Sequence, residues 1–287
     1  MSRIAFVNGR YLPHRDASVH VEDRGYQFAD GVYEVCEVAR GHIMDLRRHL
    51  DRLDRSLREL QMSWPTERRA LQLIVQEVVR RNRVHNGLVY LQVTRGVARR
   101  DHVFPPPDTK SSLVVTARRN NPTAAQTNSE KGISVITVRE NRWERVDIKT
   151  VGLLPNVMAR QAARLAGAAE AWFVDDDGHV KEGAATNAWI VTAEGTLVTR
   201  PAEFGILRGI TRAVVMEVAK RQGLKVEERS FSVDEAKRAR EAFITAATTV
   251  VMPVIAIDGT PVANGHPGST ALALREGFFD EAEKTFA

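Results

Sequence analysis

The sequence predicts an α+β protein, with strands and helices mixed along the chain, divided into two domains. Three observations predict it: the chain has 287 residues, short strand-like runs recur between amphipathic helices, and one polar segment interrupts the apolar pattern. That segment, 119–131, consists mainly of small and polar residues. It predicts a linker between a smaller domain, 1–118, and a larger domain, 132–287.

The first domain begins with strand-like runs and continues with two helices. In the first helix the leucines alternate spacings of four and three, which predicts one buried stripe: Leu46, Leu50, Leu53, Leu57 and Leu60. A second helix opens after Pro65 and is expected to stop near Asn86 and Gly87. The predicted strands span 4–7, 32–38, 88–94 and 112–116.

The second domain interleaves strands with three helices, as a mixed sheet covered by helices requires. Helices are predicted near 156–168, 209–222 and 269–285. Strands are predicted at 133–138, 171–174, 188–191, 225–228, 242–245 and 250–257.

Composition argues against several functional classes. The net charge is +5, but acidic and basic residues are interspersed, as in 47–55, so no nucleic-acid surface is indicated. The longest apolar run, 250–257, contains Pro253 and is too short to cross a bilayer, so no membrane role is predicted. The single cysteine, Cys36, excludes an intrachain disulfide framework and a cysteine-rich metal site, and it favours the cytoplasm.

Lys149 and Glu182 are the two side chains that suggest chemistry. A lysine that forms an imine and an acid that keeps a pyridine nitrogen protonated are what pyridoxal phosphate most needs from a protein. Lys149 ends a short polar and apolar alternation, which predicts a strand end beside an apolar wall. The alternative is that Lys149 is an ordinary solvated charge.

A phosphate site is suggested where Gly209, Ile210 and Thr211 enter a helix, because the first amides of a helix are unpaired and attract anions. Arg52 lies off the leucine stripe and is a second candidate, since guanidinium groups bind phosphate through two donors. The alternatives are a simple helix cap and a surface arginine.

A third candidate is the basic loop that leaves the strand 88–94. Arg100 and His102 are two residues apart, so in an extended chain they face the same way and suit one carboxylate. A solvated basic loop is the alternative.

Taken together, these segments resemble the fold-type IV, pyridoxal-phosphate-dependent aminotransferases, the family of D-amino acid transaminases and branched-chain aminotransferases. The resemblance covers nearly the whole chain and is carried by the runs 22–35, 49–53, 147–149, 182–187 and 207–212. It implies a small α+β N-terminal domain and a larger C-terminal domain with a barrel-like sheet.

The resemblance also implies roles for individual residues. Lys149 becomes the Schiff-base lysine and proton shuttle, and Glu182 the partner of the pyridine nitrogen. The phosphate ligands become Arg52, Gly209, Ile210, Thr211 and Thr248. The pattern of Arg100 and His102 is typical of D-amino acid transaminases, where with Tyr33 it binds the substrate carboxylate. In such enzymes that loop enters the neighbouring subunit's site, which implies a homodimer.

Two positions depart from related D-specific enzymes, which commonly have hydroxyl side chains at Ala185 and Ala247. Even with these departures, the resemblance predicts a transaminase acting on D-amino acids and 2-keto acids. A branched-chain L-aminotransferase and an aminodeoxychorismate lyase of the same fold remain alternatives, and a basic binding protein is the non-enzymatic one.

Overall fold

The computed structural model describes Arg3–Glu203 and Gly205–Ala287. Two compact units are found. Unit 1 contains the chain as far as Pro122, together with Ile148–Gly152 and Glu283–Ala287, and unit 2 contains Thr123–Asp147 and Leu153–Ala282. A helix, Pro122–Lys131, occupies most of the segment predicted as a linker, 119–131. The division into domains 1–118 and 132–287 stays a prediction.

Strands and helices alternate along the described chain. The strands are β1 (Ile4–Val7), β2 (Arg10–Pro13), β3 (Gly31–Ala39), β4 (His42–Met44), β5 (Gly87–Thr94), β6 (Ser112–Arg119), β7 (Ile133–Arg139), β8 (Glu170–Val174), β9 (Val180–Gly183), β10 (Asn187–Val191), β11 (Leu197–Thr199), β12 (Val226–Glu228), β13 (Glu241–Ala246), β14 (Val250–Ile257), β15 (Thr260–Pro261) and β16 (Lys284–Phe286). The helices are α1 (Arg24–Phe28), α2 (Leu46–Glu59), α3 (Arg68–Arg81), α4 (Pro122–Lys131), α5 (Leu154–Leu165), α6 (Ile210–Arg221), α7 (Val233–Arg238) and α8 (Ser269–Glu281).

Unit 1 is built on a sheet of seven strands in the order β16-β4-β3-β5-β6-β1-β2. The core packs α2 and α3 against this sheet. The predicted leucine stripe of α2 is confirmed for Leu46, Leu50, Leu53 and Leu57, which are all buried, whereas Leu60 is the C-cap residue and only partly buried. Burying one such side chain stabilises the fold by about 1.5 to 3 kcal/mol, so the stripe fixes which face of α2 meets the sheet.

Unit 2 is built on a curled sheet in the order β12-β11-β10-β13-β14-β7-β8-β9, with β15 paired to β14. Its core includes Trp172 and Phe231, whose rings meet edge to face with centroids 6.4 Å apart. The strands β14, β7 and β8 run parallel, and the other neighbours in the path are antiparallel except for β11 and β12. The prediction of a mixed α and β architecture is therefore confirmed.

Two helix ends were predicted wrongly. The second helix was expected to stop near Asn86 and Gly87, whereas α3 ends at Arg81 and Gly87 begins β5. The sequence predicted a helix near 269–285, whereas α8 ends at Glu281 and the chain continues into β16, which pairs with β4. Within the described part of the chain, no helix combines the length and the apolar character needed to cross a bilayer.

Candidate active site

Lys149 lies in unit 1, beside the start of β3. Its carbonyl oxygen accepts a hydrogen bond of 3.0 Å from the Tyr33 amide, and Thr150 forms an isolated bridge with Val32. The preceding Ile148 is buried in the core of unit 1. The residues before Lys149 form turns, so the predicted strand end is replaced by this single bridge.

The side chain of Lys149 is half-buried against an aromatic ring. Its Nζ atom lies 4.3 Å from the centroid of the Tyr33 ring. Tyr33 in turn meets Tyr90, with ring centroids 5.6 Å apart. The apolar wall predicted for Lys149 thus includes the face of Tyr33, which was predicted separately as a substrate-binding residue.

A buried charged cluster on α2 and β3 surrounds Arg52. The Nε and Nη2 atoms of Arg52 donate to the two carboxylate oxygens of Glu34, at 2.8 and 2.7 Å. The Nδ1 atom of His49 lies 2.6 Å from Glu34 Oε2. Arg52 is therefore a buried and oriented side chain, and its alternative interpretation as a surface arginine is wrong.

The electrostatics of this cluster favour an ionised acid and a neutral imidazole. Burial alone would raise the pKa of Glu34, but the charge and hydrogen bonds of Arg52, with a hydrogen bond from His49, lower it to about 2. Burial also lowers the pKa of His49, and this outweighs the opposite effect of Glu34. At neutral pH, His49 then donates Nδ1–H to the Glu34 carboxylate.

Glu182 lies on β9 in unit 2 and is buried. Its Oε1 atom accepts a hydrogen bond of 2.7 Å from Nη1 of Arg142. Its Oε2 atom accepts from the side-chain amide of Asn187 at 3.0 Å and from the backbone amide of Leu207 at 3.1 Å. Glu182 is thus held by one charged donor and two neutral donors.

Burial has the largest effect on the pKa of Glu182. It raises the pKa of this carboxyl above its usual range, although the charge and hydrogen bond of Arg142 pull the pKa down. A buried carboxylate is stabilised by each hydrogen-bond donor aimed at it. A protonated ring nitrogen is a donor of that kind, so the site fits the partner that the resemblance implies.

The candidate phosphate site lies at the start of α6, and Asn187 connects it to Glu182. The Asn187 side-chain amide donates to the carbonyl of Leu207 at 3.0 Å as well as to Glu182. Gly209 is the N-cap residue, and no side chain caps the first turn of α6. A Cβ atom at Gly209 would lie 2.0 Å from Asn187 Oδ1, so only glycine fits there. The amides of Ile210 and Thr211 follow directly, in a place suited to an anion.

Thr248 lies exposed in the turn between β13 and β14. The turn is held by Arg275 of α8, whose Nη1 atom donates to the carbonyls of Thr249 and Val251 at 2.5 and 2.8 Å. Val250 has a φ of 58°, a conformation that strongly disfavours a β-branched residue. Such strain persists only where surrounding contacts enforce it, so the turn has a defined shape.

Arg100 and His102 are exposed on the loop after β5, where both lie against Phe28. The Arg100 guanidinium carbon is 5.1 Å from the centroid of the Phe28 ring, and the His102 and Phe28 ring centroids are 5.6 Å apart. Apart from Arg52, which lies with Glu34, the predicted site residues of unit 1 therefore form two pairs. Tyr33 lies with Lys149, and Arg100 lies with His102.

A sequence model of the class IV amino-transferase family matches residues 31–257 of the chain. This protein is a class IV aminotransferase. It is 38% identical to a D-alanine aminotransferase of Listeria innocua, with 96% of this chain and 94% of that protein covered. It is also 38% identical to a D-alanine aminotransferase of Bacillus licheniformis, with 97% and 98% covered.

A solved structure is similar over almost the whole fold. A branched-chain amino acid aminotransferase from T.th., solved with pyridoxamine 5'-phosphate, matches this class IV aminotransferase with a TM-score of 0.90 and 28% sequence identity. The match covers 98% of this chain and 94% of the other. The predicted fold class, the enzyme class and the cofactor, pyridoxal 5'-phosphate, are confirmed.

Three important side chains of this aminotransferase escaped the sequence analysis: Glu34, His49 and Arg142. Glu34 and His49 lie within the runs that carry the resemblance, but nothing local shows that they meet Arg52. Arg142 is 40 residues from Glu182, and only the fold brings the two together. For Glu34 and His49, the signal available in the sequence was an acid or a base at an apolar position of a strand or helix.

Proposed function

We propose that this class IV aminotransferase moves the amino group of a D-amino acid, of the D-alanine and D-glutamate class, to a 2-keto acid. One observation carries the proposal: Arg100 and His102, two residues apart on one loop, both contact the Phe28 ring, so the loop offers a carboxylate two donors. The relatives named D-alanine aminotransferase support it, at 35 to 38% identity over most of the chain.

Each candidate residue has a part in this proposal. Lys149 holds the cofactor covalently, Glu182 faces its ring nitrogen, and its phosphate is bound by Arg52, Thr248 and the first turn of α6, which begins with Gly209, Ile210 and Thr211. Pyridoxal phosphate, when bound, accepts the amino group and withdraws electrons from the α-carbon of the substrate.

Lys149 is the base of the reaction in this proposal. Its Nζ atom, once free of the cofactor, takes the proton from the substrate α-carbon. The ring of Tyr33 confines this amine on one side. A carboxylate held by Arg100 and His102 would present the hydrogen of the D-enantiomer to it, so handedness follows from where the carboxylate is fixed.

We further propose that the working unit is a homodimer in which the loop after β5 enters the partner's site. Large apolar side chains on and near this loop are exposed in the single chain, among them Val21, Tyr26, Val103 and Phe104. Exposed apolar side chains of this kind mark surfaces that bind another protein. We also place the enzyme in the cytoplasm, since its one cysteine, Cys36, is a free thiol.

The second candidate is a branched-chain L-aminotransferase, which is favoured by the TM-score of 0.90 to an enzyme of that name. The two candidates differ in the enantiomer that reacts. Purified enzyme loaded with pyridoxal phosphate is mixed separately with D- and L-alanine, glutamate and leucine, and the visible absorbance is followed. Lys149→Ala is the control, because it cannot hold the cofactor covalently.

We expect D-alanine and D-glutamate to bleach the visible band of the wild-type enzyme, and 2-oxoglutarate or pyruvate to restore it. Bleaching by L-leucine alone would overturn the proposal in favour of the second candidate. Release of pyruvate without any amino acceptor would indicate a lyase.

A further inference from the structure

The loop that carries Arg100 and His102 is anchored by a residue that sequence analysis did not select, Arg24. Arg24 is only 3% exposed, whereas Arg100 and His102 are exposed. Its Nη1 atom donates a hydrogen bond of 2.7 Å to the carbonyl oxygen of Asp101. Asp101 is the residue between the two proposed carboxylate ligands, so this bond fixes the backbone from which both side chains project.

Arg24 also shares an aromatic ring with both ligands. Its guanidinium carbon lies 4.8 Å from the centroid of Phe28, one turn later in α1. The same ring contacts Arg100 and His102. Phe28 is therefore a common platform on which one buried cation and two exposed basic side chains rest.

One carboxylate, Asp30, ties this platform to the base of the loop. Its Oδ2 atom accepts hydrogen bonds of 2.8 Å from Nε of Arg24 and of 2.8 Å from Nε of Arg95. Arg95 also donates to the carbonyls of Leu60 and Gln61, and lies 3.7 Å from the ring centroid of Phe104. Burial would raise the pKa of Asp30, but the hydrogen bonds from Arg95 and Arg24 hold it below its usual value. The carboxylate is thus ionised at neutral pH and anchors both arginines.

Backbone contacts join α1 to the loop equally closely. The Arg24 amide donates to the carbonyl of Gly96 at 2.9 Å, and the Arg95 amide donates to the carbonyl of Asp30 at 3.1 Å. A Cβ atom at Gly25 would lie 2.2 Å from Cγ2 of Thr94, so glycine allows α1 to pack directly on the end of β5. The two segments therefore form one rigid assembly within unit 1.

We propose that Arg24 and Phe28 are positioning residues for the substrate carboxylate, and this rests on the proposed function. Exposed arginine and histidine side chains lose conformational freedom when they bind an anion. A platform that already holds them in place lowers that cost, which strengthens binding without touching the reacting atoms. We therefore expect loss of this positioning to raise the KM for the substrate and to leave kcat unchanged.

Four variants of the cofactor-loaded enzyme test this: Phe28→Leu, Phe28→Tyr, Arg24→Lys and Arg100→Ala. Leucine removes the aromatic face and tyrosine keeps it. Lysine keeps a charge near Asp30 but loses the fork that reaches Asp30 and the Asp101 carbonyl together. KM and kcat are measured for D-alanine, with the cofactor dissociation constant as a check on the rest of the site.

We expect Phe28→Leu and Arg24→Lys to raise KM by roughly 2- to 5-fold, the range that a single contact between a cation and a ring supports. The kcat and the cofactor dissociation constant should change by less than about twofold, since neither residue is proposed to touch the cofactor. Phe28→Tyr should keep the wild-type KM, and Arg100→Ala should raise KM further than either Phe28→Leu or Arg24→Lys.

The outcomes separate the two claims. If Arg100→Ala raises KM while Phe28→Leu and Arg24→Lys leave it unchanged, the positioning role is overturned and the proposed function stands. If Arg100→Ala has the wild-type KM, the proposed carboxylate site fails and the positioning role fails with it. Loss of cofactor binding or kcat in Phe28→Leu, or failure of Arg24→Lys to fold, would indicate a general structural role and would also overturn the inference.

Discussion

Replacing Glu34 by glutamine tests whether the buried cluster around Arg52 stabilises unit 1 through charge. The substitution keeps the shape of the side chain but removes its negative charge, leaving Arg52 buried without its counter-ion. The carboxyl is fully buried, and its pKa is about 2 in the folded protein against 4.5 for an unperturbed group. A pKa lower by about 2.5 in the folded protein corresponds to a contribution of about 3 kcal/mol to the free energy of unfolding at neutral pH. This value agrees with the loss of about 3 to 5 kcal/mol of stability that is typical when one partner of a buried ion pair is removed.

The sign of this effect gives a pH window. Because the pKa of Glu34 is lowered on folding, its contribution to the free energy of unfolding is present above about 4.5 and is lost as pH falls through about 2. The difference between wild type and Glu34→Gln that comes from this carboxyl should therefore shrink as pH falls from about 4.5 towards about 2.

Urea denaturation measures the difference, with pyridoxal phosphate held at the same multiple of each protein's own dissociation constant so that its contribution cancels. Glu77→Gln is the matched control. The pKa of Glu77 is also lowered to about 2, by hydrogen bonds from Arg80 and Arg81, but these partners are solvent-exposed. Solvent screening should limit the control's loss to less than about 1 kcal/mol. Equal losses in the two variants, or none in Glu34→Gln, would refute the reasoning.

Four further outcomes are expected. Lys149→Ala should lose turnover and the borohydride-reducible visible absorbance, and full activity in this variant would contradict its assigned role. Arg142→Met should raise the pKa of Glu182 further and so move the acid limb of the pH profile of kcat/KM to higher pH. Arg142→Lys should keep the limb close to its wild-type position. An unmoved limb in Arg142→Met would count against the ion pair between Arg142 and Glu182. Gly209→Ala should weaken cofactor binding by more than about tenfold, because its Cβ would displace the Asn187 side chain, and an unchanged dissociation constant would show that Asn187 is dispensable. Ala247→Ser should tighten cofactor binding by about 2- to 10-fold through one added hydrogen bond of about 0.5 to 1.5 kcal/mol, which a titration of the cofactor would detect.

The long periodic helices and strands were predictable because the spacing of their apolar residues in sequence matches the face that packs against the core. The stripe of α2 and the strand β14, which has its predicted bounds Val250–Ile257, both follow from side chains that must face the core. The short helix α1 was not predicted, since five residues cannot show a helical period. Helix α4 was not predicted because its polar residues carry no apolar stripe.

The candidate site was predictable only in part, for a related reason. Lys149, Glu182 and the entry into α6 carry recognisable chemistry in the residues themselves. The partners that orient such groups come from distant positions: Arg142 for Glu182, and Glu34 for Arg52. An ion pair between residues on different elements leaves no periodic trace in sequence, so it becomes visible only when the fold is known.

The backbone of this fold does not determine which enantiomer of the substrate reacts. A branched-chain aminotransferase matches this chain with a TM-score of 0.90, while the relatives named D-alanine aminotransferase are more similar in sequence, at up to 38% identity. Two enzymes with nearly the same backbone must differ through side chains that meet the substrate. In the proposed function of this chain, those side chains are Arg100 and His102; Arg24 donates to the carbonyl of Asp101, which lies between them, and to Asp30. We therefore propose that a change of enantiomer specificity in this chain involves both the exposed Arg100 and His102 and the buried Arg24 beneath them.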